Sequence, residues 1–294
     1  MRELPAGLLS PRPVGAARLQ AEAPRALAAV EQLRAAVPDL PGWVNLPLFN
    51  RSGSAQDYTL EAYEGEAQAT SLADLLPASA ELVRWVRDQG LSVEVARIAV
   101  LEPGAQLRAH VDEYERLRLI VTLNQDPAFR HVLGELCVSF QSGELWAVDG
   151  QTCHGAANLH ATTPRVALLI DARPESSQLP EWYSAPWEVP TQRQIPRGPW
   201  DEAARAARLS EVRQLLGSPA RQDPNPQDPD LNPAEARLLL APYERVLDHA
   251  EAYASLVDLY QSLAHELGEP AWSERAQFWE ARACRCVPLE ADHG

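Results

Sequence analysis

The sequence contains no lysine, because all 26 basic residues of the 294-residue chain are arginines. This absence excludes mechanisms that need a lysine Schiff base, and it excludes a phosphate-binding loop that ends in lysine. Basic charge is also scarce relative to the 41 acidic residues, which leave a formal net charge of −15. Such an acidic chain is a poor partner for nucleic acid or an anionic membrane surface. We therefore expect it to bind neither.

Long apolar runs and paired cysteines are missing as well. No stretch of about 18 apolar residues occurs, and the N-terminus lacks a charged start followed by an apolar run. The cysteines at 137, 153, 284 and 286 do not form a paired CxxC pattern, so a zinc site and disulfides are not expected. We predict a cytoplasmic protein in which Cys137 and Cys153 are small buried residues.

Hydrophobic periodicity changes along the chain. Steps of three and four residues predict one helix over 15–37 and a second over 79–88, capped by Ser79. From 91 to 175, short β-rich runs alternate with turn signals at roughly ten-residue spacing, which is typical of a sandwich or barrel. Helical patterns return near the end of the chain, once over 201–215 and twice over 234–284.

These patterns predict a mainly β fold with α: a double-stranded β-helix (jelly roll, cupin-like) core with flanking helices and a small helical C-terminal region. We place the jelly-roll domain with its N-terminal helices at 1–200 and the helical domain at 201–294. The proline-rich stretch 174–199 should cross the surface as an ordered segment. Its aromatic residues pack in the core or form a lid over a pocket: Trp182, Tyr183 and Trp187.

Three residues suggest a metal site. His110 and Asp112 lie two apart in a strand-like segment, so both side chains can point to one side. His154 follows a predicted strand and turn. Two imidazoles and one carboxylate form the facial triad of non-haem Fe(II) oxygenases, which leaves coordination positions open for a cosubstrate and O2. Each residue alone has an ordinary alternative, as a hydrogen-bonded histidine or a solvated turn aspartate.

Arg165 begins the next predicted strand, 11 positions after His154. If that strand runs beside the His154 strand, the guanidinium enters the same cavity. Its fork of donors suits the far carboxylate of a dicarboxylate cosubstrate whose keto-acid end chelates the iron. Two further histidines, His131 and His160, lie outside this pattern, and we expect them in loops and not as ligands.

Substrate contacts are predicted for Arg97, Arg118 and Trp146, which lie in β-rich runs. An arginine that points into a core needs a carboxylate or a polar network, since an unpaired buried charge is too costly. Arg97 and Arg118 therefore either bind a ligand's carboxylate or pair with an acid of the protein or face solvent.

The order ARIAV, His110-Val-Asp112, Arg118-Leu-Ile, GELWAVDG, His154 and Arg165 resembles the aspartyl/asparaginyl β-hydroxylase-like branch of 2-oxoglutarate dioxygenases. Within that branch the bacterial free L-proline 3-hydroxylases look most similar, and the segment GWVNLPLFNRSG resembles their early strand. The resemblance implies iron ligation by His110, Asp112 and His154, and binding of the 2-oxoglutarate carboxylate by Arg165. It also implies that Arg118 holds a cosubstrate or amino-acid carboxylate.

The chain departs from this pattern in the pocket. Ile120 stands where the family often has histidine, and the stretch between Asp112 and Arg118 is shorter. A ring larger than proline, such as L-pipecolic acid, is therefore an alternative substrate. The function expected is hydroxylation of a free cyclic imino acid, at the 3-position, in bacterial secondary metabolism. A homodimer is among the assembly states that we expect. Two rivals stay open: a hydroxylase of peptidyl or carrier-tethered Asp, Asn or another amino acid, and a non-catalytic jelly-roll binding module.

Overall fold

The computed structural model describes residues 7–9, 15–37, 42–58, 66–112, 117–134, 136–174, 189–196, 202–216, 233–244, 247, 249–268 and 270–286. Within these ranges the chain forms two antiparallel sheets with helices packed outside them. None of the helices in the same ranges is both long and apolar enough to cross a lipid bilayer.

The strands divide into a larger and a smaller sheet. Their bounds are β1 (Gly7–Leu9), β2 (Trp43–Asn50), β3 (Gln68–Ala69), β4 (Leu91–Leu101), β5 (Gln106–His110), β6 (Leu117–Thr122), β7 (Phe129–Leu133), β8 (Leu136–Val138), β9 (Leu145–Asp149), β10 (His154–Asn158) and β11 (Arg165–Pro174). The larger sheet has the order β1-β9-β6-β11-β4-β2-β3, and the smaller has the order β5-β10-β7-β8. The predicted double-stranded β-helix is confirmed.

The central strand β11 shows how the two faces of the larger sheet differ. Successive side chains of a strand point to opposite faces. The even-numbered residues from 166 to 170 pack in the core cluster that the N-terminal helices cover. Ala167 and Leu169 pack instead against the smaller sheet, in a cluster with Leu133 and Val138. Arg165 and Asp171 share this second face, so charged residues are placed between the sheets.

Within the described part of the N-terminal region, four helices cover the outer face: α1 (Ala16–Gln20), α2 (Ala23–Ala36), α3 (Leu72–Leu75) and α4 (Pro77–Asp88). The predicted single helix over 15–37 is thus two helices. The prediction of Ser79 as a cap was wrong, because α4 begins two residues earlier, at Pro77. Proline suits the first position of a helix, since an N–H there would have no partner within the helix. Glu22 serves instead, accepting from the backbone N–H of Ala78 at 2.6 Å and of Ser79 at 2.9 Å.

The C-terminal helices are α5 (Glu202–Leu216), α6 (Pro233–Glu244), α7 (His249–Leu267) and α8 (Pro270–Cys286). Three helices therefore fill the region where two were predicted; Gly268, with φ of 69°, ends α7 just before Pro270 begins α8. The group has its own apolar core around Leu256, Tyr260 and Trp279. The division into domains at 200 and 201 stays a prediction.

The β-rich runs recognised in the sequence do not include β7 and β10. The β10 sequence HGAAN is poor in β-branched and aromatic residues, and β7 contains Arg130 and His131 among its five residues. Both lie in the smaller sheet, where packing between sheets outweighs local preference. Of the predicted crossing segment, 175–188 and 197–199 lie outside the described residues, and with them Trp182, Tyr183 and Trp187.

Candidate metal centre and cosubstrate cavity

The ends of β5 and β10 bring the three predicted ligands together. His110 ends β5 and His154 begins β10, and the two residues are partners in the antiparallel register. The Asp112 carboxylate lies 3.4 Å from His110 Nε2 and 3.7 Å from His154 Nε2. The ligand atoms of all three residues lie within 4.8 Å of one another. This is the spacing of donors around one cation, with two nitrogens and one carboxylate oxygen on one side.

Both imidazoles have the orientation that a metal ligand needs. His110 Nδ1 donates to Arg108 O at 2.9 Å, and His154 Nδ1 donates to Thr152 O at 2.8 Å. A proton on Nδ1 leaves the Nε2 lone pair for a metal. The donor set therefore fits Fe(II).

Protonation also favours ligation. Burial, together with the positive charge of Arg118, lowers the pKa of His154 to about 3, so the ring is neutral. Burial by itself would raise the pKa of Asp112, but the neighbouring His110 ring and the charge of Arg118 keep that pKa below its usual range. Near neutral pH the site thus offers one neutral imidazole from the buried strand and one carboxylate.

A chain of buried charges begins at this centre. Arg118 on β6 places NH1 at 2.9 Å from His154 Nε2 and NH2 at 3.0 Å from Asp112 Oδ2. Its Nε donates to Asp171 Oδ1 at 2.7 Å, and Arg97 NH1 donates to Asp171 Oδ2 at 2.6 Å. Although burial would raise the pKa of Asp171, the two guanidinium groups hold it well below its usual range. Two cations therefore share one fully buried carboxylate.

A cavity of about 510 Å³, counted with the space open to solvent, lies between the sheets and connects His154 with Arg165. Its walls are mostly apolar, including Leu101, Ile120 and Leu169. In the cavity wall, Arg165 NH2 contacts Nε2 of His131, which is itself stacked on Phe140. An apolar pocket lined by a buried cation and by His154 of the metal centre suits a short dicarboxylate.

Arg165 is only 5% exposed, and among the described residues it pairs with no carboxylate. Its Nε is buried without a hydrogen-bond partner there. Burial lowers the pKa of Arg165 to about 10, a change that Tyr243 opposes, and the group is still cationic at neutral pH. Burial and the charge of Arg165 also keep the pKa of His131 well below its usual value, so Nε2 can accept a hydrogen bond. An anionic ligand would compensate this buried cation.

The structure alters several expectations about these residues. The strand of Arg165 does not run beside the strand of His154: β11 pairs with β4 and β6, whereas β10 pairs with β5 and β7. Arg165 enters the cavity from the opposite sheet. His131 lies on β7 and lines the cavity, not in a loop, whereas His160 is in the loop after β10, as predicted.

The three predicted substrate residues occupy different places. Arg118 lines the cavity, and Arg97 lies behind it against Asp171. Among the described residues, Trp146 is not one of those that line the cavity. Its side chain is fully buried and stacks on Phe140, with the ring centroids 4.3 Å apart. Sequence reasoning missed Asp171. The signal was an acidic residue in an apolar strand, six positions after Arg165 and hence on its face.

Comparison with known proteins gives a family match. A family model described as Aspartyl/Asparaginyl beta-hydroxylase matches residues 16–174. L-proline cis-3-hydroxylase 1 of Streptomyces sp is 30% identical over 138 residues, which make up 44% of this chain and 46% of that protein. L-proline cis-4-hydroxylase of Rhizobium meliloti (strain 1021) is 29% identical over 154 residues, or 50% and 53% of the two chains. The chain thus spans about half the length of the curated relatives it matches.

A solved structure described as a Pseudomonas putida prolyl-4-hydroxylase is also similar. The match covers 59% of this chain and 94% of that one, with 19% sequence identity and a TM-score of 0.35.

Proposed function

Since the chain belongs to the aspartyl/asparaginyl β-hydroxylase family, we propose that it is an Fe(II)- and 2-oxoglutarate-dependent dioxygenase that hydroxylates a free cyclic imino acid. The observation that carries the proposal is the content of a single cavity. Its lining includes His154, which belongs to the cluster with His110 and Asp112. It also includes Arg165, a buried arginine that lacks a carboxylate partner among the described residues. A binding module has no need for both.

Each residue then has a defined task. His110, Asp112 and His154 bind Fe(II), and the bound iron supplies the activation of O2 that oxidises an unactivated carbon. Arg165 binds the far carboxylate of 2-oxoglutarate, and neutral His131 supports the guanidinium from β7. The apolar walls exclude water from the space between the metal site and Arg165.

The substrate carboxylate is assigned to the region of Arg118 and Arg97. These two buried cations face the single carboxylate of Asp171, because Asp112 is a metal ligand in this proposal. One positive charge remains without full compensation, which favours an anionic group nearby. An amino or imino acid supplies that group. Ile120 in the wall makes the pocket more apolar, which favours the larger ring of L-pipecolic acid alongside L-proline. The 3-position, a homodimer and a cytoplasmic location stay predictions.

Succinate formation tests this function. The full chain is incubated with Fe(II), 2-oxoglutarate and O2, and with L-proline, L-pipecolic acid, other free amino acids or N-acetyl-L-proline amide. We expect turnover that a free imino acid stimulates and the blocked amide does not. Stimulation by peptides alone would favour the peptidyl rival, and no stimulation by any amino acid would overturn the proposal.

Variants connect turnover with the cluster. His110→Ala and Asp112→Ala should abolish iron-dependent turnover while the protein stays folded. His265→Ala is the matched control, because His265 is exposed in the last turn of α7. Retained activity in His110→Ala would contradict the ligand assignment.

A further inference from the structure

Strand β5 contains an irregularity directly before His110. Its partners on β10 are His154 for His110 and Ala156 for Leu107. Three residue steps of β5 therefore lie opposite two steps of β10, which is a β-bulge between Leu107 and His110. Bulges change the direction of neighbouring side chains and often lie next to active sites. The position of the His110 ring relative to His154, with 4.5 Å between centroids, depends on the shape of this bulge.

Two tyrosines of the C-terminal helices bind the bulge. Tyr243, from α6, donates its hydroxyl to Leu107 O at 2.9 Å, and Tyr253, from α7, donates to Ala109 O at 2.5 Å. Both side chains are fully buried, at 0% and 1% exposure. The two acceptor carbonyls, of Leu107 and Ala109, lie two residues apart on the part of β5 that leads into His110.

The residue after His154 is in contact with the same support. A Cβ added to Gly155 would overlap the Tyr243 hydroxyl and would lie 2.8 Å from Leu107 O and 2.9 Å from Ala109 N. Only glycine therefore lets β10, the bulge and α6 approach this closely. Through Gly155 the helices contact both strands that contain histidine ligands.

A third buried tyrosine shows that this arrangement is not a general property of the helices. Tyr260 lies on α7, two turns after Tyr253, and is also fully buried. Its hydroxyl donates to Glu235 Oε1 at 2.8 Å, inside the helical group. Burial of a tyrosine hydroxyl requires an acceptor, and a protein acid satisfies that need equally well. Tyr243 and Tyr253 use the bulge instead.

We propose that Tyr243 and Tyr253 are positioning residues of the metal centre, through which helices α6 and α7 fix the distance between His110 and His154. The inference rests on the proposed metal site. It also assigns a task to a part of the chain beyond residues 16–174, where the family model matches. Each tyrosine acts through its hydrogen bond to the β5 backbone.

The test is metal affinity measured without cosubstrate. Co(II), a spectroscopic substitute for Fe(II), is titrated into metal-free full-length protein while its ligand-field absorption bands are recorded. Tyr253→Phe and Tyr243→Phe each delete one hydroxyl and keep the ring. Tyr260→Phe is the control that loses an equally buried hydrogen bond, made to Glu235 and not to the β5 backbone. Thermal unfolding of each metal-free variant is followed in parallel.

We expect Co(II) to bind roughly two- to tenfold more weakly to Tyr253→Phe and to Tyr243→Phe, the range that one net hydrogen bond allows. The bands should also shift in these two variants. Tyr260→Phe should lower the unfolding temperature but bind Co(II) within about twofold of the unmodified protein. Tyr243 also interacts with Arg165, so its replacement can affect more than the bulge. If Tyr243→Phe does not fold, the result for Tyr253→Phe decides the test.

Two results would overturn the inference. Equal affinities and unchanged bands in all variants would leave the metal site intact but make both tyrosines merely structural. Failure of the unmodified protein to bind Co(II) would overturn the proposed metal site as well.

Discussion

Replacing Asp171 by asparagine should destabilise the protein more than any other single change in the charged chain between the sheets. Asp171 is fully buried and accepts from Arg118 Nε at 2.7 Å, from Arg97 NH1 at 2.6 Å and from Arg118 NH2 at 3.4 Å. Asparagine has nearly the same size, so the change removes charge and creates no cavity. It leaves two buried cations without their shared carboxylate.

The magnitude follows from that imbalance. Removing one partner of a buried ion pair costs about 3–5 kcal/mol, because the remaining charge is uncompensated. Arg97→Met should cost less, about 1–3 kcal/mol, since Asp171 keeps its bonds to Arg118. In the double variant Arg97→Met/Asp171→Asn one of the two stranded cations is gone. Its cost should therefore fall short of the sum by at least about 1 kcal/mol.

Urea unfolding of the metal-free protein at neutral pH, followed by tryptophan fluorescence, measures these differences. A cost below about 1 kcal/mol for Asp171→Asn would refute the reasoning. So would strict additivity in the double variant, because it would mean that Arg97 and Asp171 do not interact in solution. Arg173→Met is a useful control, since this half-exposed arginine on β11 pairs with Glu94 outside the charged chain.

Three further predictions concern the cavity and its walls. Arg165→Met should raise the KM for 2-oxoglutarate about ten- to a hundredfold, and Arg165→Lys should recover only part of the loss, because lysine lacks the fork of donors; a steady-state assay with equal KM values would contradict the assignment. Gly155→Ala should cost about 1–3 kcal/mol in urea unfolding, since its Cβ overlaps Tyr243 and the β5 backbone; unchanged stability would show that the strands can separate. His131 is neutral when folded and titrates near 6.5 when unfolded, so its contribution is intact above pH 6.5 and is lost as the pH falls below it. Between pH 7.5 and 5.0 the metal-free protein should lose about 2 kcal/mol more than His131→Asn, and equal losses would refute the neutral assignment.

The sequence predicted the parts of the site that depend on short-range spacing. His110 and Asp112 lie two apart on an extended segment, which is enough to place both side chains on one side. The jelly roll was also predictable, because β-rich runs at ten-residue intervals leave few other architectures. The structure brings His154 and Arg165 into the same cavity, as expected, although from different sheets.

What the sequence did not predict depends on pairing between distant segments. His131 appeared to lie in a loop because β7 is short and polar, and only its partners β8 and β10 make it a strand. The role of Asp171 depends on its hydrogen bonds with Arg97 and Arg118, which lie more than 50 positions away in the sequence. The tyrosine hydroxyls bind β5 across more than 130 positions, a separation over which no local pattern acts.

The position of β11 in the larger sheet has a consequence for folding. This strand lies at the centre, hydrogen-bonded to β4 on one side and β6 on the other, yet it follows both in the chain. During synthesis, the edges of β4 and β6 that later bind β11 stay unpaired until residue 174 has left the ribosome. Contacts between such distant segments form slowly, and open strand edges associate with other chains. The strand that contains Arg165 and Asp171 therefore completes both the larger sheet and the charged site in the same late step of folding.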